Sequence, residues 1–252
     1  MASKKKSKAR SRTASKSRTA KSAKSQRAQV STARIEYAGD SHENGGVARM
    51  AHREENGKRV ATIDRKTKET AVKIGLKLDG GGRGEISTGV PFLDHMLDSF
   101  ARHGFFDLKI EAKGDLHIDE HHTVEDVGIV LGKAFAQALG DRSGIKRFGE
   151  AVVPLDEALC SVVVDISGRS YLAYNVPITQ ERVGSFQTEL VHDFMKALSD
   201  NVGMNLHRNM VDGRNPHHVI EAAFKALARA MDQATSLEPR VAGVLSTKGT
   251  LS

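Results

Sequence analysis

One short pattern occurs twice, as His121-His122-Thr123-Val124-Glu125 and as His217-His218-Val219-Ile220-Glu221, ninety-six residues apart. Each copy opens a run with the apolar spacing of a helix. The roughly 190 residues from Arg59 onward would suit one large core or two fused halves, and a repeat at this distance selects two halves. The pattern also constrains chemistry. On a helix, neighbouring residues diverge by about 100°, whereas residues three or four apart share a face. Glu125 can therefore join either histidine while the two histidines point apart, an arrangement suited to bridging two metal sites.

The donors are imidazole and carboxylate. The chain has a single cysteine, Cys160, which excludes a thiolate zinc cluster and a disulfide framework. Cys160 lies in the apolar run Ala158 to Val164 and reads as a packed strand residue with no chemical role. Mn²⁺, Fe²⁺ and Zn²⁺ all accept this donor set, and affinity order alone does not choose among them.

Charge divides the chain unevenly. Residues 1–30 hold seven Lys and four Arg with no acidic residue, in a Ser-, Ala- and Thr-rich context without an apolar period, the composition of a disordered tail. The remaining twenty-seven basic and thirty-one acidic residues give a body of formal charge −4, although the whole chain is +7. A basic tail can touch nucleic acid electrostatically, but this one lacks interleaved aromatics and reads as a dispensable extension. No apolar leader and no membrane-spanning run is present, which points to the cytoplasm.

Residues 1–57 are expected to be tail and linker, 58–150 a first half-domain and 151–252 a second. The first half reads as a strand over 69–78, turn residues at 79–82 with a hairpin following, a helix from Pro91 to His103, a strand over 107–112 and a helix from His121 to Leu139. The second reads as strands near 158–166 and 170–179, a helix over 188–201, a strand over 204–209 and a helix over 216–236. Each half is thus two strands, helix, strand, helix. The fold class is α+β, an internally duplicated two-layer sandwich in which two helices pack on each small sheet. Laying one half on the other places His95 opposite Asp193, with His192 competing for that position. The candidate metal ligands are then His95, His121, His122, Glu125, Asp193, His217, His218 and Glu221. Shared between two ions, they leave open positions in an octahedral shell, which favours catalysis over a structural role.

The blocks Gly89-Val90-Pro91-Phe92-Leu93-Asp94-His95-Met96-Leu97, Asp119 to Asp126, Pro154-Leu155-Asp156-Glu157-Ala158, Asp165-Ile166-Ser167-Gly168-Arg169, Asn215 to Ala222 and Ser246-Thr247-Lys248-Gly249 resemble, in order, those of the imidazoleglycerol-phosphate dehydratase family over essentially all of residues 59–252. The resemblance implies a duplicated α+β fold, two Mn²⁺ per active site, and an assembly of twenty-four subunits whose sites take ligands from different chains. It implies loss of water from D-erythro-imidazole glycerol phosphate to give imidazole acetol phosphate. No carbonyl stabilises the charge that develops, so the imidazole ring must serve as electron sink, and metal ions on its two nitrogens favour that. Among the catalytic candidates Glu69, His95, His121, Glu125, His217 and Glu221, the resemblance makes Glu69 the general base, with His95 or a metal-bound water as rival. It brings Arg147, Arg169, Ser246 and Lys248 to the phosphate, with Lys225 nearby, and adds Glu69 and His103 to the substrate contacts. At the position of Asp193 some family members carry histidine, which leaves the identity of that ligand open between Asp193 and His192. Two rival readings remain at this stage: a metal-storage module without turnover, and a nucleic-acid-binding protein acting through the basic tail.

Overall fold

The computed structural model describes residues 58–251 and the backbone of 49–51. The tail reading and most of the linker reading lie outside the described residues. The first half contains β1 (Arg49–Ala51), β2 (Val60–Lys66), β3 (Thr70–Lys77), β4 (Gly84–Ser87), α1 (Pro91–His103), β5 (Asp107–Gly114) and α2 (His121–Leu139). The second contains β6 (Phe148–Leu155), β7 (Ala158–Asp165), β8 (Tyr171–Asn175), a small hairpin of β9 (Arg182–Val183) and β10 (Phe186–Gln187), α3 (Leu190–Val202), β11 (Asn205–Asp212) and α4 (Pro216–Thr235).

The duplication is visible in the strand order. The sheets run β1-β2-β3-β5-β4 and β6-β7-β11-β8, so β2, β3, β5 and β4 correspond to β6, β7, β11 and β8. In both, the last pair is parallel (β4 with β5, β8 with β11) and the other pairs are antiparallel. Within this repeated order, three strands rather than two precede the first helix of each half, because β2 and β6 escaped the sequence reading. The expected hairpin after residue 82 is absent: β3 pairs with β5, and β4 runs parallel to β5 on its far side. Asp107 explains this. Its carboxylate accepts from the Gly81 and Arg83 backbone N–H groups at 2.8 and 3.3 Å and from the Arg83 guanidinium at 2.7 Å, pinning the connection to the start of β5. The strand β1 lies in what was read as linker, paired with β2, and β6 crosses residue 150, so the halves divide ahead of Phe148.

Each sheet buries one face. Val72, Ile74 and Leu76 of β3, Val162 and Val164 of β7 and Leu206 of β11 are at most 1% exposed, as period-2 alternation requires. The helices meet across the halves: α2 packs on α3 and α1 on α4, while α2 also lies on β2 and β3 and α4 on β6 and β7. Gly128 and Gly132 let α2 approach α3 closely, since a Cβ on Gly132 would lie 2.6 Å from Asn201 Cβ and 2.9 Å from the Leu198 carbonyl. One apolar cluster, including Phe135, Leu198, Phe224 and Leu227, joins both halves. Among the described residues no helix is long and apolar enough to cross a membrane.

The repeated motifs occupy the first turns of α2 and α4. The Asn215 side chain caps α4 by accepting from the His217 N–H at 3.0 Å, with Pro216 at the first helical position. Asp119 accepts from the His121 N–H at 2.9 Å. Both helices therefore begin at the motif, with the histidines half-buried in the first turn.

Candidate metal centre

Packing of α1 on α4 carries His95 to the second-half motif. His217 Nε2 is 3.1 Å and His95 Nε2 3.4 Å from the same oxygen, Glu221 Oε2. Ligand atoms of these three residues all lie within 4.8 Å of one another. Phe92 stands edge-on to the His217 ring at 5.3 Å between centroids, closing one side with apolar surface. Lys225 Nζ holds Glu221 Oε1 at 2.8 Å. Burial acts to raise the Glu221 carboxyl, but the Lys225 hydrogen bond and the charges of Lys225 and His95 outweigh it and hold the group below its ordinary value.

Packing of α3 on α2 makes the reciprocal pair. His121 Nδ1 lies 3.3 Å from Asp193 Oδ2. His192 Nδ1 is 3.3 Å from the other Asp193 oxygen, while the His192 ring stands edge-on to Tyr174 at 5.2 Å. Asp193 thus faces the α2 motif and His192 sits beside it against an aromatic side chain. Glu125 is exposed.

The second histidine of each motif is held by a carboxylate. His122 Nδ1 meets Asp115 Oδ2 at 3.0 Å, and His218 Nδ1 meets Glu157 Oε2 at 2.8 Å. Occupying Nδ1 in this way fixes the ring and presents Nε2, the usual arrangement around a metal-binding imidazole. Donating to the Asp115 carboxylate raises the His122 pKa, and donating to Glu157 raises the His218 pKa. The Glu157 carboxyl is lowered to about 2, first by His218 and then by the Asn215 N–H. The sequence reading missed both carboxylates as site residues. Glu157 stood inside one of the recognisable blocks, whereas Asp115 carried no signal before the fold placed it beside α2.

The eight candidate ligands do not form one group within a chain. Among the described residues only His95, His217 and Glu221 bring three ligand atoms together, and His121 with Asp193 forms a separate pair. Glu69 lies in the turn ahead of β3, close enough to His122 for its charge to raise that histidine. His103, at the end of α1, is lowered by burial and then by the charges of Lys225 and Arg229.

Arg147, Arg169, Ser246 and Lys248 line one cavity of about 670 Å³, together with Arg240 and Thr247. Arg147 makes a forked pair with Asp165 at 2.7 and 3.0 Å and donates to the Leu245 carbonyl at 2.7 Å, so it also fixes the C-terminal segment. Arg240 was not anticipated; it pairs with Glu238 at 2.6 and 2.8 Å. Lys225 does not line this cavity and is engaged with Glu221.

A duplicated α+β fold with histidine–carboxylate clusters on two helix starts and a separate cationic cavity has the make-up of an enzyme. The model of the imidazoleglycerol-phosphate dehydratase family matches residues 88–231. The dehydratase of Geobacter metallireducens is 58% identical over 193 residues, covering 77% of this chain and 99% of the relative. That of Geobacillus kaustophilus is 56% identical over 193 residues, with the same coverage of both chains. Among solved structures, the Staphylococcus aureus enzyme aligns at 40% identity with a TM-score of 0.65, covering 71% of this chain and 99% of that one. The Pyrococcus furiosus enzyme in complex with (S)-C348 aligns at 39% identity and the same TM-score, covering 75% and 99%. The chain belongs to the imidazoleglycerol-phosphate dehydratase family and is a hydro-lyase of histidine biosynthesis.

Proposed function

We propose that the protein converts D-erythro-imidazole glycerol phosphate to imidazole acetol phosphate and water in the cytoplasm, using two Mn²⁺ ions per active site. The convergence of His95, His217 and Glu221 carries this reading. Two imidazole nitrogens and a carboxylate oxygen around one point, with no thiolate, fit a borderline-to-hard divalent cation. The Nδ1-anchored His122 and His218 fit the same role. The ligand set is His95, His121, His122, Glu125, Asp193, His217, His218 and Glu221. The His121–Asp193 proximity supports Asp193 over His192.

The ions that these residues would hold would supply Lewis acidity, which would let the substrate ring serve as the electron sink. The chain's own residues do the rest. Arg147, Arg169, Ser246 and Lys248 hold the phosphate, and fixing that remote group orients the reacting carbons. Hydroxide leaves from the carbon attached to the ring, and Glu69 takes the proton from the next carbon. The resulting enol becomes the ketone as its O–H proton is lost and the ring-attached carbon gains one, so the departing hydroxide and the proton taken by Glu69 account for the one water lost. Lys225 keeps Glu221 ionised and directed at His95 and His217. His103 contributes to the substrate pocket as a neutral ring.

Because the two clusters stay separate within one chain, a complete site requires ligands from different subunits, in keeping with an assembly of twenty-four. The decisive measurement is turnover of imidazole glycerol phosphate by the purified protein. Activity should vanish with a chelator and return with Mn²⁺; turnover that survives exhaustive chelation would refute the metal-dependent reading.

A further inference from the structure

The two halves build the same corner with different chemistry. In the first, the β2–β3 turn meets the end of β5 and the first turn of α2; in the second, the β6–β7 turn meets the end of β11 and the first turn of α4. Gly114 lies against Thr70 and Thr123, and Gly213 lies against Ala158 and Val219. Thr70 therefore corresponds to Ala158, Thr123 to Val219 and Asp126 to Ala222. The residues just ahead of β3 and β7 are Glu69 and Glu157.

These two glutamates are held differently. Glu157 is tied at both oxygens, by His218 at 2.8 Å and by the Asn215 and Arg214 N–H groups at 2.8 and 3.3 Å. In the first half Asp115 has taken over the task of orienting His122, and among the described residues the Glu69 carboxylate accepts no hydrogen bond. Only its backbone is fixed: Thr67 Oγ1 accepts from the N–H groups of Glu69 and Thr70 at 3.1 and 2.9 Å. Next to Glu69, the Thr70 hydroxyl donates to Asp126 Oδ2, and Arg65 of β2 forms an ion pair with the same oxygen. Thr70 is 4% and Asp126 6% exposed.

Burying such groups carries a desolvation cost, and the fold does not require it. The corresponding Ala158 and Ala222 close the second corner as apolar residues at 1% and 0% exposure. We propose that Thr70, Asp126 and Arg65 are positioning residues that lock the Glu69 turn against the first turn of α2. They set the Glu69 backbone, and so the root of its side chain, at a fixed place relative to the first turn of α2 while leaving the carboxylate oxygens free for proton transfer. The proposal rests on the reading of Glu69 as general base.

The test uses the full-length assembled protein carrying Asp126→Ala, and Thr70→Ala with Asp126→Ala, which recreates the alanine pair of the second half. Arg65 is one quarter exposed as a side chain, but the Nη1 that faces Asp126 is buried, so Asp126→Asn serves as the variant that keeps a polar partner for it. Amide exchange at Glu69 and Thr70 should rise about tenfold or more while α2 stays protected. The kcat should fall about tenfold to a hundredfold, with KM and Mn²⁺ stoichiometry retained, since small misplacements of a catalytic group carry costs of that order. In a Glu69→Gln background the same changes should add no further loss. Thr70→Ser, which keeps the hydroxyl, should turn over like the native protein, and Asp126→Asn, which keeps an acceptor, should lose less than Asp126→Ala. Native-like exchange in the turn, an equal kcat loss in the Glu69→Gln background, or loss of Mn²⁺ would each overturn the proposal. If Glu69→Gln alone retained full turnover, the base assignment would fail instead, and the exchange measurement would decide the clamp by itself.

Discussion

Asp193 and His192 compete for one position in the sequence, and the fold gives the two side chains different neighbours. His192 is of the residue type that some family members carry there, yet Asp193 is the one 3.3 Å from His121, and His192 leans on Tyr174. Asp193→Asn should weaken Mn²⁺ binding by about tenfold or more, as loss of a charged ligand would, while His192→Ala should leave it nearly unchanged; calorimetric titration of both variants would expose the reverse order. Glu157 permits a second prediction with a definite sign. Its hydrogen bond raises His218 above the ordinary 6.5, so in the metal-free protein a proton competes with the metal at higher pH than for a free histidine. Glu157→Gln should move the pH dependence of Mn²⁺ binding towards acid while lowering affinity at neutral pH by about tenfold to a hundredfold. An unmoved pH profile would show that Glu157 does not control this ring.

At the scale of elements, the helix starts were legible because each motif opens a run of helical apolar spacing, and in the fold Asp119 and Asn215 accept from the first N–H groups of α2 and α4. The strand pairing was not, because nothing local in Asp79-Gly80-Gly81-Gly82 distinguishes a hairpin from a connection pinned by a residue twenty-six positions away. Asp107 supplies that pin, and its protonation should be felt. Burial would raise its carboxyl, but Arg83 and the N–H groups of Gly81 and Arg83 bring it to about 2, against an ordinary 3.8. A lowered carboxyl contributes stability above its unfolded value and loses it as pH falls through the folded one. The contribution is therefore complete above about pH 4 and disappears towards pH 2. Asp107→Asn should cost about 2 kcal/mol at neutral pH and flatten acid denaturation across that window, as followed by urea unfolding at several pH values; a variant with the native acid profile would place the acid sensitivity elsewhere.

For the whole molecule, the consequence of two separate clusters is that inactive subunits should repair one another. Glu125→Gln removes a proposed ligand from the α2 motif and Glu221→Gln one from the α4 motif. Refolded together in equal amounts, they should recover activity approaching about a quarter of native, because random assortment gives that share of sites an intact glutamate from each subunit. Separately refolded and then mixed without exchange, they should stay inactive. Absence of recovery in properly co-assembled particles would mean that each chain completes its own site.

The sequence by itself determined the duplication, the donor chemistry and the two helix starts that carry it, because these depend on residue type at short, regular spacing. It could not determine that His95 joins the second-half motif and Asp193 the first, because that exchange follows from α1 packing on α4 and α3 on α2. Nor could it show that Asp115 serves His122 while Glu157, the counterpart of Glu69, serves His218. Hydrogen bonds between residues distant in the chain depend on strand order and helix packing, and those are set by burial of apolar faces across the whole fold.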